Sequence, residues 1–529
     1  MTYLLHHVLT ESAARFPDRE AVRMGGKGWT YRELDRLSGQ LAVALQGASV
    51  QRGDRVGIYV HKSFASVLSV FGIMKAGGAY VPLDPNAPAK RLAYITRNCA
   101  IRVLVTSAEC LSGVAALLQE GSPIETVILT DSLSGERQLP QELRLVTWEG
   151  VQAIGSDQPS DSGAIETDLA YILYTSGSTG DPKGVMISHR TIFTFVNWCA
   201  EKFRVGPDDR VTSHAPLHFD LSTFDIYVTI KAGGTVVLVP EKMSIFPIQL
   251  VRLLQDEKVT VTYLVPSILS MMVSHGKLGA HDLSSLRAVL FAGEVFPIRY
   301  LRQLVAFVPQ AEYYNLYGPT ETNVCTYHQV RPEDLLPDRD QPVPIGRACE
   351  NTEVFAVDDE GNRVLVPGRE GELWVRGSCV AQGYWGDAEK TAKGFVVNPF
   401  QTTFQETAYR TGDIVVLDQD GVSWRYVGRR DHMVKSRGYR IELGEIEAAL
   451  YSHPEIREAA AVAVPDDLVG NRIKAYVVRL KNNGLSVRDI DALCRQRLPR
   501  YMVPESIEFL DALPKTSSGK VDRSLLARR

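Results

Sequence analysis

Leu173-Tyr174-Thr175-Ser176-Gly177-Ser178-Thr179-Gly180-Asp181-Pro182-Lys183-Gly184-Val185 is the stretch on which the fold turns. An apolar run at 169–173 leads into it as a strand, and a helix is expected to begin near Ser188. Glycines permit tight turns and positive φ. Successive backbone N–H groups and hydroxyls can cradle phosphate oxygens, and Lys183 adds a positive charge. The plain alternative is a Ser/Gly-rich surface turn, but such turns seldom combine a leading strand, dense hydroxyls and a trailing Pro-Lys-Gly. Gly-Lys-Ser/Thr is absent, which argues against an ordinary P-loop ATPase or kinase.

Around this loop, short apolar runs alternate with longer helical patterns over residues 1–430, the signature of α/β layering. Strands are expected at 55–60, 235–239 and 260–265, and helices at 90–98 and 249–255. The apolar segment 64–74 is too short to span a membrane, which takes about twenty residues, so it reads as a core helix. From Gly346 strand patterns dominate, at 353–357, 371–375 and 413–417, with turns at Asp359-Glu360-Gly361 and Asp420-Gly421. That predicts a β-rich subdomain. Beyond Gly428-Arg429-Arg430-Asp431 the order is helix (443–452), strand (459–464), strand (474–480), helix (487–497), strand (505–509). This predicts a separate α+β domain at 431–529 beside a larger one at 1–430.

The chain has 529 residues, with 58 Lys plus Arg against 62 Asp plus Glu and a net charge of −4. That balance argues against a nucleic-acid binder that neutralises phosphates. Apolar residues are 45% and charged residues 23%, the profile of a folded protein. The 7 cysteines are scattered without a C-x-x-C pair, so neither a zinc knuckle nor a redox dithiol is indicated, and reduced thiols in the cytoplasm are expected. Neither a signal peptide nor a peroxisomal address is read at the ends.

Further segments carry chemistry. In Tyr314-Asn315-Leu316-Tyr317-Gly318-Pro319-Thr320-Glu321-Thr322, Tyr317 could stack on a base, Asn315 could read its edge and Glu321 could hold Mg²⁺. In Tyr409-Arg410-Thr411-Gly412-Asp413 an aspartate at a strand start could bind ribose hydroxyls, or be a solvated turn carboxylate. The run 428–442 is rich in basic residues and could equally be a solvated face. Near the end stands Leu513-Pro514-Lys515-Thr516-Ser517-Ser518-Gly519-Lys520.

Taken in order and spacing, these segments resemble the adenylate-forming superfamily of acyl-CoA synthetases, luciferases and amino-acid adenylation domains of nonribosomal peptide synthesis. Lys75-Ala76-Gly77-Gly78-Ala79-Tyr80-Val81-Pro82-Leu83-Asp84-Pro85 and Ile441-Glu442-Leu443-Gly444-Glu445-Ile446-Glu447 look like the amino-acid branch. The resemblance implies an amino-acid carboxylate attacking the α-phosphate of ATP, then transfer of the aminoacyl group to a phosphopantetheine thiol. It also implies that the small C-terminal domain is mobile. In that family Thr175, Ser176, Gly177, Ser178, Thr179, Gly180 and Lys183 would hold the phosphates. Tyr317, Asn315, Gly318, Thr320 and Tyr426 would surround the nucleotide, Asp413 and Arg429 its ribose, and Glu321 would ligate Mg²⁺. Lys520 would bridge the carboxylate and α-phosphate. Asp431 would be the hinge between half-reactions, and Gly438 would line the thiol's route.

The resemblance also places Asp220 as partner of the substrate's α-amino group, since burying an unpaired ammonium is costly. The remaining pocket positions are Leu221, Phe224, Tyr263, Leu290, Ala292, Leu316, Val324 and Cys325; none is charged, so the side chain recognised is apolar and small to medium. This string is similar to pockets of free-standing proline-activating enzymes that load a carrier protein for pyrrole or anatoxin-type toxin biosynthesis. No Gly-Gly-x-Ser carrier motif follows Arg523, so the carrier is expected in trans, with neither nucleic acid nor membrane as a partner. The alternatives are a same-fold ligase for D-alanine or an aliphatic amino acid, an acyl-CoA synthetase, which Asp220 disfavours, and a non-catalytic nucleotide-binding module.

Overall fold

The computed structural model describes residues 2–133, 139–177, 181–244, 246–430, 433–480, 485–515 and 521–529. Two large sheets with parallel centres face one another across the N-terminal part. The seven-stranded one runs Arg144–Val146, Thr126–Leu129, Val103–Thr106, Arg55–Tyr59, Ala79–Pro82, Leu169–Thr175 and Lys183–Ser188, and only its last strand is antiparallel. The nine-stranded one has a parallel centre of Glu312–Tyr317, Ala288–Ala292, Val261–Leu264, Arg210–Ser213, Thr235–Leu238 and Glu20–Met24. Its antiparallel edges are Lys27–Thr30 on one side and Thr326–Gln329 with Arg347–Ala348 on the other.

The helix Phe64–Lys75 packs between these layers, with every residue from Ala65 to Met74 buried, as its apolar sequence predicts. Beside it lies Tyr31–Gly47, whose start is fixed by a capping box: Thr30 accepts from the Glu33 N–H, and the Glu33 carboxylate accepts the Thr30 N–H at 2.8 Å. Among the described residues no helix is long and apolar enough to cross a membrane. All 7 cysteines are buried and free.

A five-stranded antiparallel sheet of Thr352–Val357, Glu370–Gly377, Thr407–Leu417, Phe395–Val397 and Trp424–Arg429 forms the β-rich part. Gly361 and Gly421 take φ of +83° and +69° in its turns. Asp413 does not start a strand; it lies within Thr407–Leu417 and pairs with Arg429 across the sheet. The C-terminal unit opens with a two-stranded ribbon, Met433–Ser436 and Tyr439–Glu442. Helix Leu443–Tyr451, strands Ile456–Asp466 and Gly470–Arg479, helix Val487–Arg497, strand Ser506–Phe509 and helix Arg523–Ala527 follow, with an apolar cluster of their own. The ribbon and the last helix were not expected from the sequence pattern.

The loop after Thr175 is the end of a β-hairpin and does not lead directly into a helix. Strand Lys183–Ser188 pairs antiparallel with Leu169–Thr175, and Ser188 then caps helix His189–Lys202 by accepting from the Thr191 N–H. Gly177 leaves no room for a side chain, since a Cβ there would stand 2.1 Å from the Asp181 carbonyl oxygen.

Candidate active site

The carboxyl ends of the parallel strands in both large sheets open onto one crevice, the place where ligands bind in open α/β sheets. Thr175 and Ser176 come from one sheet, and Ala292 and Tyr317 from the other. Side chains two residues apart share a sheet face. Tyr263 is in register with Leu290, and Ala292 with Leu316, so these four expected pocket residues lie on one face. Asn315 and Tyr317 fall on the other, so the strand Glu312–Tyr317 separates the expected amino-acid positions from the expected nucleotide positions.

Asp220 immediately precedes the short helix Leu221–Thr223, which continues through a π-helical turn at Phe224–Val228. Leu221 and Phe224 are three apart and lie on the same side of it. A cavity of about 90 Å³ is lined by Asp220, Leu221, Tyr263, Ala292, Val324 and Thr320, together with Thr175 and Ser176. Phe224, Leu290 and Cys325 are fully buried behind this lining; the Phe224 ring stands edge-on to Tyr263 at 5.5 Å. Leu316 is buried and is not part of this lining; it is among the residues that border a larger neighbouring cavity. Burial raises the Asp220 pKa, while the Thr320 hydroxyl and the nearby Lys435 charge pull it down. Thr175 Oγ1 is buried without a hydrogen-bond partner among the described residues, an acceptor or donor left for a ligand.

On the nucleotide side, Tyr317 donates its hydroxyl to Asp413, and Arg429 Nη1 meets Asp413 at 2.8 Å. Asn315 Nδ2 donates to the Pro344 carbonyl at 2.7 Å. Asn315, Tyr317, Tyr426 and Arg429 line a cavity of about 780 Å³ whose far wall is the C-terminal unit. Gly293, Arg429 and Lys435 line both cavities, so the two spaces adjoin.

Between them sits Glu321, with no exposed surface. Its Oε1 lies 3.1 Å from Lys183 Nζ and accepts the Tyr384 hydroxyl at 2.7 Å. Its Oε2 lies 3.0 Å from Arg440 Nη1, delivered by the C-terminal ribbon. Burial alone would raise the Glu321 pKa, but Arg440 and Lys183 outweigh it and hold the carboxyl well below the usual range. The same burial, reinforced by the Arg440 charge, lowers the Lys183 pKa, and Glu321 opposes the shift. With both oxygens on monovalent cations, Glu321 does not fit a Mg²⁺ ion in this arrangement, since Mg²⁺ demands oxygen ligands in near-ideal octahedral geometry.

Arg429, Lys435 and Arg440 of the basic run are turned into the crevice and not onto a solvated face. Gly438 sits at φ +80°, where a side chain is strained, and a Cβ would stand 2.5 Å from Val265 Cγ1. Its N–H donates to Glu294 Oε1 at 2.7 Å. Lys435 Nζ lies 5.7 Å from the centre of the Tyr317 ring, and the Ser176 hydroxyl donates to the Arg440 carbonyl at 2.8 Å. Arg430 and Arg437 are the outward-pointing members among the described residues of this run, paired with Asp359 and Glu505. Arg440, Lys435, Glu294 and Tyr384 are site residues that the sequence reading did not assign. Arg440 and Lys435 stood inside a run already marked by its charge; Glu294 and Tyr384 carried no such mark. Ser178, Thr179, Gly180, Asp431 and Lys520 lie outside the described residues.

Known proteins resemble this chain along its length. Residues 9–385 match the AMP-binding enzyme family, and residues 445–520 match the AMP-binding enzyme C-terminal domain. The chain is 40% identical over 529 residues to an L-proline–[L-prolyl-carrier protein] ligase of Pseudomonas fluorescens, covering 99% of both chains. It is 39% identical over 514 residues to a ligase of the same name from Streptomyces coelicolor, covering 94% of this chain and 92% of that one. Among solved structures, the amide bond synthetase McbA from Marinactinospora thermotolerans superimposes with a TM-score of 0.86 at 26% identity, over 99% of each chain. By a match that spans most of its length and a likeness that runs end to end, the chain belongs to the AMP-binding enzyme family.

Proposed function

We propose that this enzyme activates L-proline with ATP and loads it onto the phosphopantetheine thiol of a separate carrier protein in the cytoplasm. The observation that carries the reading is the end-to-end likeness to two ligases named for proline and its carrier protein. The geometry supports it: in the small cavity Asp220 stands beside the uncharged side chains of Leu221, Tyr263, Ala292 and Val324. A secondary ammonium has two N–H donors, and Asp220 is placed to accept one of them.

In the first half-reaction a carboxylate oxygen of proline bonds to the α-phosphorus, the α–β P–O bond breaks and pyrophosphate leaves. In the second, the thiol sulfur bonds to the carbonyl carbon, the C–O bond to AMP breaks, and the thiol proton is released. Lys183 and the Thr175–Lys183 hairpin are assigned to the departing phosphates, Tyr317 and Asn315 to adenine, and Asp413 with Arg429 to the ribose. Lys520 is assigned to adenylate formation, Asp431 to the hinge and Gly438 to the thiol's route. The docked ribbon favours the second half-reaction, because Gly438 rather than a phosphate-facing group closes against Val265 and Glu294. Mg²⁺ is assigned to Glu321 only in an arrangement with Arg440 withdrawn.

ATP–pyrophosphate exchange across an amino-acid panel tests the assignment. L-Proline should give the highest kcat/KM, ring analogues next and aromatic amino acids background. A higher value for D-alanine, β-alanine or a branched aliphatic residue would overturn proline while leaving adenylation standing.

A further inference from the structure

Arg440 is buried at the centre of the crevice, and its placement there needs a cause. Among the described residues its Nε has no hydrogen-bond partner, a costly state for a buried guanidinium. What offsets the cost is Glu321, whose two oxygens stand 3.2 and 3.0 Å from Arg440 Nη1. Glu442, the other carboxylate within reach, is 4.0 Å from Nη2. Lys183, the second cation on Glu321, belongs to the large sheet, whereas Arg440 arrives on a ribbon that, among the described residues, pairs with no other strand. One carboxylate therefore already carries two positive charges, and a divalent ion cannot join them without a strong like-charge penalty.

We propose that Arg440 and Mg²⁺ compete for Glu321, so that the protein's own guanidinium takes the metal's place when the ribbon docks. Arg440 is then a positioning residue. It holds the turn at Gly438 against Val265 and Glu294, and metal on Glu321 releases that turn. The inference rests on the functional reading above only for the two half-reactions; the competition itself is a property of Glu321.

The test uses the full-length protein and its Arg440→Ala, Arg440→Lys and Glu321→Gln variants. Hydrogen–deuterium exchange is measured over residues 433–442, and the MgCl₂ concentration for half-maximal ATP–pyrophosphate exchange is determined. Competition requires Arg440→Ala to lower that concentration about threefold or more, with Arg440→Lys in between. It also requires residues 433–442 to exchange about tenfold faster in Arg440→Ala and Glu321→Gln than in wild type without ligand. An unchanged MgCl₂ requirement in Arg440→Ala overturns the proposal, as does equal protection in all four proteins. Should the variants fail to fold, wild type decides: the ribbon must exchange faster with ATP and MgCl₂ than with ATP and EDTA, and equal rates overturn the competition. Wild type that shows no pyrophosphate exchange with any amino acid sinks the functional reading instead, and the ribbon's response to ATP with MgCl₂ then judges the competition alone.

Discussion

Two hairpins deliver a cation to the same carboxylate, and they do so from opposite kinds of support. The one bearing Lys183 is part of a seven-stranded sheet, and its Met186 exchanges backbone hydrogen bonds with Gln382 and Gly383 of the β-rich part. Lys183 also lies over the Tyr384 ring at 4.4 Å. The one bearing Arg440 is a lone ribbon whose hold on the crevice includes polar contacts that water or a ligand can replace: Gly438 to Glu294, Ser176 to Arg440, Arg440 to Glu321. A cation built into a sheet is permanent, and a cation on a ribbon is exchangeable. Chemistry needed in every cycle belongs on the first; a group needed for half of it belongs on the second.

Variants that strike below both hairpins should lose both half-reactions. Asp220→Ala strands a substrate ammonium without its partner, a loss of about 3–5 kcal/mol. It should appear as a large rise in the amino-acid KM, with ATP binding little changed. An unchanged KM would mean that the pocket is misplaced. Lys520→Ala should separate the halves, cutting pyrophosphate exchange about 10²–10³-fold while transfer from preformed prolyl-adenylate falls far less. Equal loss of both steps would end its assignment to adenylate formation. Gly438→Leu attacks the ribbon from the other side, because its Cβ collides with Val265. Carrier loading should slow about tenfold more than exchange does, the size of a steric penalty of a kcal/mol or two. Parallel losses would point to damage to the fold. Tyr263→Ala should touch neither hairpin and shift selectivity by about 1–3 kcal/mol from proline toward longer aliphatic residues, read from exchange across the panel.

The smallest effect concerns pH. Burial raises the Asp220 pKa, so the carboxyl takes up its proton at a higher pH than an ordinary aspartate. As pH falls through that value the amine anchor becomes neutral, and the amino-acid KM should rise on the acid side while the ATP KM holds. A flat amino-acid KM down to the ordinary aspartate range would contradict the burial of this carboxylate.

Much of this was legible in the chain because local pattern sufficed. The helix Val487–Arg497 and the buried helix at Phe64–Lys75 follow from periodicity and from unbroken apolar sequence. The expected pocket positions come from motif order, and period two places four of them, Tyr263, Leu290, Ala292 and Leu316, on one sheet face. What local pattern could not give was burial caused by a distant unit. Lys435 and Arg440 look like solvent-facing charge until the ribbon docks against Tyr317 and Glu321. Asp413 reads as a strand start because Thr411-Gly412 before it has turn chemistry, yet pairing with Trp424–Arg429 carries the strand Thr407–Leu417 through it. The strand Lys183–Ser188 was hidden for the same reason, since only its partner Leu169–Thr175 defines it.

The buried cysteines have a practical consequence. Burial pushes the Cys99 thiol up to about 11, and Cys199, Cys325 and Cys349 are raised as well, so each stays protonated and poorly nucleophilic. A protein that receives a partner's thiol thus presents none of its own to be caught in a mixed disulfide. Alkylating reagents should therefore mark the carrier's arm in a mixture of the two proteins while leaving this chain's mass unchanged. Single cysteines introduced on its surface would accept a dye at one chosen position.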